Sequence, residues 1–582
     1  MKILLIHSED DPEKGPWANL SWDQIVDLGL GGVNSYARWT RRFQCPVTPL
    51  GSLWNGFDDF RRVRHLLALG SGRMLDEYGL DWWEIMSILL HGEVEALMLM
   101  QRFAQTVSAG DEVHVSRPGL HASLLQSLRS KQVRVFSSRG SRESGLAHYA
   151  RVSRKLSARQ MVDIFWDKYD AGYQLRGRFA RKRRSFRQPA VLLPTAYVNV
   201  SRTGIAYANT FPEENFLLVT TRRSGWVQNL PRNVKAAWLS FYAEVRDRTP
   251  ENIEMERRWR CLLTELTGTT EFDILNRVGY LQNFTRWIRR GLEVRDAWRN
   301  VLESEPVEAV LCSDDSNPYT RMPMLLAQAR GLPNIACHHG ALDGRYVFKR
   351  SYGDVVWAKG RMEEDYLVRK CGVPADRVEI AAPVPPANWN EFRVGKRDGS
   401  QPHLLFLSEV FEAGGGRAEE VYRDVVPALA NVALANGREL IVKLHPGESR
   451  RERTDMLARV LSAEQKSVMR IVSGPLMEDL LDGAWFGITI LSTVALECAI
   501  RGVPCFLCKW LESWPYGYVE QFIRFGVSIG LDRPSDIEKI PEYLRANPVS
   551  RDVRKNCWQP AAPGRLRELL AAARPPYTTV TR

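Results

Sequence analysis

Short apolar segments alternate with amphipathic segments over the first part of the chain. Apolar runs predict strands at Lys2–His7, Gly110–Ser116 and Gln132–Ser137, and a helical pattern begins near His121. Such alternation is typical of a parallel sheet with helices on its faces. We therefore expect the chain to begin with an α/β unit.

The pattern changes between residues 150 and 300. Apolar residues at helical spacing predict helices in Val234–Asp247 and Ile274–Leu302, which are rich in Arg and Trp. A candidate strand pair, Ala190–Leu193 and Phe216–Thr220, interrupts them. We interpret this region as a helical insertion in the N-terminal domain.

Regular alternation returns near residue 306 and completes the N-terminal domain. The predicted strands are Val307–Cys312, Asn334–Cys337, Asp354–Trp357 and Val378–Ala381. A Pro-rich segment, Pro383–Pro386, and a polar segment, Asn390–Pro402, follow them. Because Pro, Gly and charged residues punctuate domain boundaries, we place the N-terminal domain at residues 1–390 and a linker at 391–402.

A second α/β unit follows the linker. Its predicted strands are His403–Leu407, Glu439–Leu444, Met469–Val472, Phe486–Leu491 and Pro504–Cys508. Helical segments separate them, as in a doubly wound domain. We assign residues 403–545 to this C-terminal domain and residues 546–582 to a helical tail. The expected fold class is α/β, with two Rossmann-like domains facing a central cleft.

The composition is that of a globular protein. Of the 582 residues, 44% are hydrophobic and 25% are charged, which excludes disordered and collagen-like classes. No apolar run of about 18 residues predicts a transmembrane helix, and the apolar run at Met1 is too short for a signal peptide. The nine cysteines are scattered, which favours a reducing compartment. We expect a cytoplasmic protein, with peripheral attachment to the inner face of the membrane as an open alternative.

The net charge of +12 favours anionic partners. Much of the excess lies in one basic segment between Arg176 and Arg187. Such a charge run is commonly a solvated face, and contact with an anionic acceptor or an anionic membrane surface is the alternative. No helix-turn-helix, zinc-finger or RNP signature accompanies the segment, so nucleic acid is not expected as a partner.

Polar residues follow the first two strands of the C-terminal domain. Ligands of open parallel sheets bind at the carboxyl ends of the strands, so these positions are candidates for a nucleotide site. Gly415 and Gly416, in the sequence GGGR, allow backbone N–H groups to approach a phosphate. The sequence IVKLHPGES places Lys443 and His445 after the second strand, where the histidine can donate to a phosphate oxygen.

The fourth strand of the same domain is followed by Ser492, Thr493 and Glu497 in the sequence LSTVALE. The two hydroxyls stand where a helix begins, so they can cap that helix or hold a phosphate with its free N–H groups. Glu497 lies one turn further along the same face, within reach of ribose hydroxyls. Each feature alone has an ordinary structural explanation, but the His-Pro and Ser-Thr-x-x-x-Glu motifs converge on one edge of one sheet.

Acids and histidines follow two strands on the N-terminal side. The sequences CSDDSN and CHHGALDGRY place there Asp314, Asp315, His338, His339, Asp343 and Arg345. Paired acids can raise one pKa and form a general base, although Asp also suits a helix N-cap. A histidine at a strand end can accept a proton near neutral pH. Either pair is therefore a candidate for the catalytic base.

His338, Asp343 and Arg345 are also candidates for contact with the acceptor, and two positions nearer the N-terminus join them. Glu9 follows the first strand, and Gly31 lies in the glycine-rich sequence DLGLGGVNSY. Ordinary turn chemistry explains both equally well.

The motifs resemble those of the bacterial capsule and cell-wall glycosyltransferases of the GT-B type, over roughly residues 300–510. This group includes capsular polysialyltransferases, Kdo transferases of capsule export and CDP-glycerol glycerophosphotransferases. The resemblance implies that four residues hold the phosphate and sugar of a cytidine nucleotide donor: His445, Ser492, Thr493 and Glu497. His339 is similar to the catalytic histidine of a His-Gly segment in glycerophosphotransferases. Polysialyltransferases use an acid of an Asp/Glu-Asp/Glu-Gly motif instead, and Asp314-Asp315-Ser316 lacks its glycine.

The resemblance therefore implies a transferase of surface polysaccharide biosynthesis. The donor would be a nucleotide-activated sugar, CMP- or CDP-linked, and the acceptor a glycan or a lipid-linked molecule. No cofactor and no metal are expected, because no tight Asp-x-Asp motif is present and Cys505 and Cys508 lack a second pair. Two alternatives stay open. One is an isomerase similar to UDP-GlcNAc 2-epimerases, whose phosphate loop has a different sequence, and the other is a non-catalytic GT-B-fold protein of polysaccharide assembly.

Overall fold

The computed structural model describes residues 1–7, 10–29, 34–116, 131–137, 187–385, 400–411, 417–474, 478–511, 516–547 and 553–572, with Leu124, Leu128 and Leu476. The chain divides into two compact units. Unit 1 contains residues 1–56, 96–143 and 389–557, and unit 2 contains residues 57–95, 144–388 and 558–582. Among the helices of the described residues, none combines the length and the apolar character needed to cross a membrane.

The chain begins with a five-stranded parallel sheet in unit 1. Its strand order is β3-β2-β1-β4-β5. The strands are β1 (Lys2–Ile6), β2 (Gln24–Asp27), β3 (Val47–Pro49), β4 (Glu112–Val115) and β5 (Arg134–Ser137). Ile3 and Leu5 of the central strand belong to one apolar core, and Leu4 and Ile6 belong to another. Because side chains alternate along a strand, the sheet is covered on both faces. Helix α1 (Ala37–Phe43) belongs to unit 1, and all of α2 (Gly56–Ala68) after its first residue belongs to unit 2. In α3 (Trp83–Thr106), residues 83–95 belong to unit 2 and residues 96–106 to unit 1.

A seven-stranded parallel sheet lies in unit 2, with the order β12-β11-β10-β9-β6-β7-β8. Its strands are β6 (Ala190–Thr195), β7 (Phe216–Thr220), β8 (Val234–Trp238), β9 (Val307–Cys312), β10 (Asn334–Cys337), β11 (Val355–Ala358) and β12 (Val378–Ile380). The helices between them are α4 (Val198–Thr210), α5 (Thr249–Leu266), α6 (Thr270–Arg277), α7 (Asn283–Ser304), α8 (Pro318–Ala329) and α9 (Arg361–Asp365). The chain runs outward from β6 in one direction and from β9 in the other, so the strand order reverses between these two neighbours.

A six-stranded parallel sheet in unit 1 is formed by the C-terminal part of the chain, with the order β15-β14-β13-β16-β17-β18. Its strands are β13 (His403–Leu407), β14 (Glu439–Lys443), β15 (Met469–Val472), β16 (Ala484–Thr489), β17 (Cys505–Cys508) and β18 (Ile529–Leu531). The helices are α10 (Ala418–Ala435), α11 (Arg450–Val460), α12 (Ala463–Ser467), α13 (Glu478–Asp482), α14 (Val494–Ile500), α15 (Tyr518–Arg524), α16 (Ile540–Ala546) and α17 (Arg554–Cys557). In this sheet the order reverses between β13 and β16. The last helix, α18 (Arg565–Ala571), belongs to unit 2, where Leu566 packs in the core of the seven-stranded sheet.

The α/β class with parallel sheets is confirmed, and the structure adds a third sheet to the two that we expected. Two sheets, rather than one, lie within the span 1–390. The helix predicted at Val234–Asp247 is wrong, because Val234–Trp238 is strand β8 and a short 3-10 helix, Leu239–Tyr242, follows it. The apolar residues of that segment fit either period, and parallel pairing of all five residues with β7 decides for the strand.

Arg417, at the start of α10, joins the two sheets of unit 1. Its guanidinium donates to the carbonyl oxygens of Asp10, at 2.6 Å, and His7, and Nε lies 3.8 Å from Oδ2 of Asp27. The Asp27 side chain is fully buried. Burial raises the pKa of Asp27, and Arg417 opposes this effect. A buried carboxylate needs such a partner, so the cation stabilises the carboxyl edge of the first sheet.

Candidate functional site

The candidate site lies where the strand order of the seven-stranded sheet reverses. In open parallel sheets, ligands bind at the carboxyl ends of the strands near such a reversal. Tyr197 follows β6, Asp314 follows β9 and His339 follows β10. We define the switch-point cluster as Tyr197, Asp314, His338, His339, Asp343 and Arg345.

Tyr197, Asp314 and His339 form the centre of the cluster. The Tyr197 hydroxyl donates a hydrogen bond to Oδ2 of Asp314. The same hydroxyl oxygen lies 3.4 Å from Nδ1 and 3.5 Å from Nε2 of His339. The two rings are nearly perpendicular, with centroids 5.2 Å apart. An acid, a phenol and an imidazole thus meet within hydrogen-bond reach, although β6 and β10 are distant in sequence.

The environment keeps His339 in its neutral form. Burial lowers the pKa of His339, and Asp314 opposes that effect by favouring the imidazolium. Burial and the charge of Asp314 raise the pKa of the Tyr197 hydroxyl above its ordinary value. His339 is therefore able to accept a proton near neutral pH, and Asp314 is placed to stabilise the resulting cation.

His338 and Lys359 hold the turn that positions His339. The Lys359 ammonium donates to the carbonyl oxygens of His338 at 2.5 Å and Gly340 at 2.8 Å, and it lies 3.4 Å from the Glu363 carboxylate. Nδ1 of His338 accepts the Gly340 N–H at 3.2 Å. Nε2 of His338 is buried and has no hydrogen-bond partner among the described residues. Burial and the neighbouring His339 hold the pKa of His338 well below its usual range.

Asp343 and Arg345 form the charged rim of the cluster. Nε of Arg345 lies 2.8 Å from Oδ1 of Asp343, and its Nη2 lies 4.0 Å from Oδ1 of Asp314. Ser316 donates to Oδ2 of Asp343 at 2.6 Å. Although burial opposes them, Arg345 and Lys349 hold the pKa of Asp343 well below its usual range. The Arg345 side chain stays 34% exposed, so this cation can meet an anionic substrate.

Asp315 has different partners from its neighbour Asp314. Its carboxylate lies 2.5 Å from Nζ of Lys349 and 3.3 Å from Nη1 of Arg321. Both cations are fully buried, and Arg321 also pairs with Glu84 at 2.8 Å. The arrangement makes Asp315 the counter-ion of two buried cations, whereas Asp314 meets Tyr197 and approaches His339. The N-cap of α8 is Asn317, whose side chain accepts the Tyr319 N–H.

Three members of the cluster could also hold a divalent metal ion. Asp314, His338 and His339 each offer one ligand atom, and these atoms lie within 4.8 Å of one another. Two imidazoles and one carboxylate are a donor set that suits zinc and related ions. Coordination would occupy the lone pair with which His339 accepts a proton, so metal binding and a base at this histidine exclude each other.

Glu448 organises the carboxyl edge of the six-stranded sheet. Its buried carboxylate accepts hydrogen bonds from the His445 N–H at 2.7 Å, from Ser408 Oγ at 2.9 Å and from Arg453 Nε at 2.7 Å. These bonds connect the ends of β13 and β14 and define the His-Pro turn. Burial raises the pKa of Glu448, and Arg453 opposes that effect.

The ring of His445 is oriented by the same turn. Its Nδ1 accepts the Gly447 N–H at 3.0 Å, and the residue is exposed. Although the residue as a whole is exposed, its ring is partly desolvated, and this desolvation and the charge of Lys443 lower the pKa of His445. In a neutral imidazole whose Nδ1 accepts, the proton resides on Nε2. The histidine therefore offers one N–H donor, the group that we expect to meet a phosphate oxygen.

Lys443 ties two strand ends together. Its ammonium donates to the carbonyl oxygens of Leu444 and Gly474, both at 2.7 Å. Burial lowers the pKa of Lys443, and Glu448 and Glu497 oppose the shift. The lysine is therefore close to Glu497, one of the residues predicted to bind the nucleotide. Its own hydrogen bonds stabilise the loops that follow β14 and β15.

Ser492, Thr493 and Glu497 lie at the beginning of α14, after β16. Ser492 Oγ accepts the Val494 N–H at 3.3 Å, which is an ordinary turn bond. Thr493 is exposed and Glu497 is partly buried. The preceding backbone is fixed by Glu409, whose carboxylate accepts the Leu491 N–H at 2.7 Å.

Several predicted positions lie outside the described residues. These are Glu9, Gly31, Gly415, Gly416 and the basic segment between Arg176 and Arg187, apart from Arg187 itself. Their assignments stay predictions.

Sequence reasoning missed Tyr197 and assigned no role to Glu448. Tyr197 comes two residues after the buried strand AVLLPT, so the rule applied to Asp314 and His339 could have found it. Glu448 lies in the His-Pro segment, but its burial depends on Ser408 and Arg453, which only the folded chain brings to it.

No protein-family profile and no curated protein matches the sequence. Solved structures of low similarity include UDP-GlcNAc 2-epimerase from Neisseria meningitidis bound to UDP-GlcNAc, at 11% identity and a TM-score of 0.42, over 66% of this chain and 98% of that one. The calicheamicin glycosyltransferase CalG4 is 11% identical, with a TM-score of 0.40, over 67% of this chain and 100% of that one. MurG from Acinetobacter baumannii is 13% identical, with a TM-score of 0.38, over 66% and 99%.

Proposed function

We propose that this protein is a glycosyltransferase of surface polysaccharide biosynthesis. It would move a sugar from a nucleotide donor, CMP- or CDP-linked, to a hydroxyl of a glycan or lipid-linked acceptor. The observation that supports the proposal is the Tyr197–Asp314–His339 contact at the strand reversal of the seven-stranded sheet. Under this proposal the seven-stranded and six-stranded sheets are the two Rossmann-like domains of a GT-B enzyme.

The chemistry assigned to the switch-point cluster is removal of the acceptor proton. The acceptor hydroxyl transfers its proton to the neutral ring of His339 as its oxygen bonds to the anomeric carbon of the donor sugar. The bond between that carbon and the donor phosphate oxygen breaks, and the nucleotide leaves with the electron pair. Asp314 stabilises the imidazolium, and Tyr197 holds Asp314 in place. A positioned base contributes about 10²- to 10⁴-fold to the rate.

The chemistry assigned to the six-stranded sheet is stabilisation of the departing nucleotide. Nε2–H of His445 donates to a phosphate oxygen, and the hydroxyls of Ser492 and Thr493 are the further donors in this assignment. Donors that are fixed before the reaction stabilise developing charge without reorganisation. The buried Glu448 supplies that fixation for His445.

The first experiment is a thermal-shift panel of CMP, CDP, UDP, GDP and ADP, with Mg²⁺ and with EDTA. Ligand binding to the folded state stabilises it by about 2.7 kcal/mol at a hundredfold excess over Kd. We expect a cytidine-selective shift that survives EDTA and is lost in His445→Ala. His65→Ala is the control, because His65 is an exposed histidine on α2. If none of the five nucleotides raises the melting temperature, the donor-site assignment is contradicted. A shift that is selective for UDP would favour the epimerase-like alternative.

The second experiment tests the base. His339→Ala should retain the thermal shift with the nucleotide that the panel identifies. It should lose transfer of radiolabelled sugar from donors that carry this nucleotide. If EDTA abolishes transfer and the purified protein contains one metal ion per chain, His339 acts as a ligand and the base assignment is wrong.

A further inference from the structure

Two tryptophans form an exposed stack at the carboxyl edge of the seven-stranded sheet. Trp226 follows β7 after a short turn, and Trp238 ends β8. Their rings are parallel to within 3°, with centroids 4.8 Å apart. Trp226 nevertheless keeps 37% of its surface exposed. Because Trp238 covers one face of Trp226, a ligand can meet this indole only at its other face or its edge.

The turn that carries Trp226 is fixed against the connection between β6 and α4, which contains Tyr197. Ser201 Oγ donates to the Gly225 carbonyl oxygen at 2.6 Å, and Ser224 Oγ donates to that of Ala196 at 3.3 Å. A Cβ atom on Gly225 would lie 3.2 Å from the Tyr197 nitrogen and 2.4 Å from Thr220 Oγ1. Only glycine permits this approach, so the stack is held in place beside the residue that donates to Asp314.

The position and the chemistry of the stack point to a ligand. Tryptophan is enriched at interaction surfaces because it combines a large apolar ring with a polar N–H group, and here the stack lies on the edge where parallel sheets bind ligands. A flat indole face complements a ring that is apolar on its faces and polar on its rim. Pyranose rings have this character, with C–H groups on the face and hydroxyls at the rim. The ordered turn lowers the entropic cost of binding such a ring.

We infer that Trp226 and Trp238 form a binding platform for the pyranose rings of a glycan acceptor. This inference rests on the proposed function, because it places the acceptor chain next to Tyr197, Asp314 and His339. Stacking fixes the acceptor on the side of the sheet where its hydroxyl meets the base. The platform recognises a sugar ring rather than the donor nucleotide, which is assigned to the six-stranded sheet.

The test measures oligosaccharide binding without any nucleotide. Titration calorimetry of the full chain with chitohexaose, maltohexaose and α2,8-linked hexasialic acid should show at least one ligand with a Kd of about 1 mM or tighter. Trp226→Ala should weaken that ligand about tenfold, which corresponds to 1.4 kcal/mol. Trp226→Phe, which keeps an aromatic face, should recover most of the loss. Phe241→Ala is the matched control, since Phe241 is 38% exposed on the segment that follows Trp238.

Each outcome separates this inference from the proposed function. Binding of no oligosaccharide, or equal affinity in Trp226→Ala and Phe241→Ala, overturns the platform while the nucleotide shift can still stand. Oligosaccharide binding that depends on Trp226, in a protein that no nucleotide stabilises, supports the platform and overturns the transferase. If Trp226→Ala instead weakens only binding to vesicles of phosphatidylglycerol, the stack is a membrane contact and the glycan assignment is wrong. Circular dichroism spectra and the melting temperatures of the unliganded variants report that they are folded.

Discussion

Asp314 and Asp315 are adjacent in sequence, and the structure predicts opposite consequences for their replacement. Asp315 neutralises Lys349 at 2.5 Å and Arg321 at 3.3 Å, and both cations have fully buried side chains. Asp314 accepts from Tyr197 and from the Ser316 N–H, the latter at 3.1 Å. We expect Asp315→Asn to cost stability and Asp314→Asn to cost activity.

The magnitude for Asp315→Asn comes from breaking a buried ion pair. Removing one partner of such a pair costs about 3–5 kcal/mol, because the remaining charge is left uncompensated. Arg321 keeps Glu84 at 2.8 Å, and Lys349 keeps Asp343 at 3.6 Å, so a value near 3 kcal/mol is expected. That is a large part of the total of about 5–15 kcal/mol typical of a domain. Asp314→Asn keeps its shape and most of its hydrogen bonds, so its cost should be about 1 kcal/mol.

The assay is urea unfolding of both variants, followed by sugar transfer measured on the folded protein. Asp314→Asn should lower kcat on the order of 10²- to 10⁴-fold, because the imidazolium loses its stabilising charge. At urea concentrations below its unfolding midpoint, Asp315→Asn should transfer sugar at a rate within about tenfold of that of the wild-type protein. Equal unfolding free energies in the two variants, or a larger loss of transfer in Asp315→Asn, would refute the reasoning.

Three other predictions concern pH, the His-Pro turn and the first sheet. Burial lowers the pKa of His339, so kcat/KM should fall on the acid side of the pH–rate profile only below the ordinary histidine pKa of about 6.5. In Asp314→Asn the pKa of His339 should be lower still, so this fall should occur at a lower pH. A pH–rate profile checks both; a limb at or above pH 6.5 would contradict the environment described for His339. Glu448→Gln removes the carboxylate that accepts from His445 and Arg453 and should weaken nucleotide binding about tenfold, measured by thermal shift. Retention of wild-type affinity would show that the turn does not position the donor. Arg417→Ala leaves Asp27 buried without its cation, so it should lower the free energy of unfolding by about 3–5 kcal/mol. The control is Arg41→Ala, at an exposed position on α1, which should change the free energy of unfolding by less than about 0.5 kcal/mol.

Much of the strand content follows from local sequence. The strands at Phe216–Thr220, Val307–Cys312 and His403–Leu407 have the bounds predicted for them, because buried parallel strands are short, continuous apolar runs. Their positions directly after predicted strands also placed Asp314, His339 and His445 on the carboxyl edges of their sheets. These inferences need only the spacing of apolar residues along the chain and the fact that the carboxyl ends of parallel strands lie on one edge of the sheet.

Local sequence could not predict the partners of those residues. Strand β8 has apolar spacing that suits a helix as well, and its pairing with β7 decides the conformation. Glu448 is a polar residue in a turn, and its burial follows from contacts with Ser408 and Arg453. Interactions of this kind depend on groups that are far apart in the chain, so no local pattern contains them.

The sequence by itself determined the α/β class and the strand ends at which chemistry is placed, because hydrophobic period and chain direction are local properties. Only the tertiary structure decided which partners each acid meets. Asp315 meets Lys349, 34 residues away, while Tyr197 meets His339 across 142 residues. The first contact follows from the pairing of β9 with β10, and the second from the pairing of β9 with β6, where the strand order reverses. Adjacency of strands is set by packing of the whole sheet rather than by any segment of it.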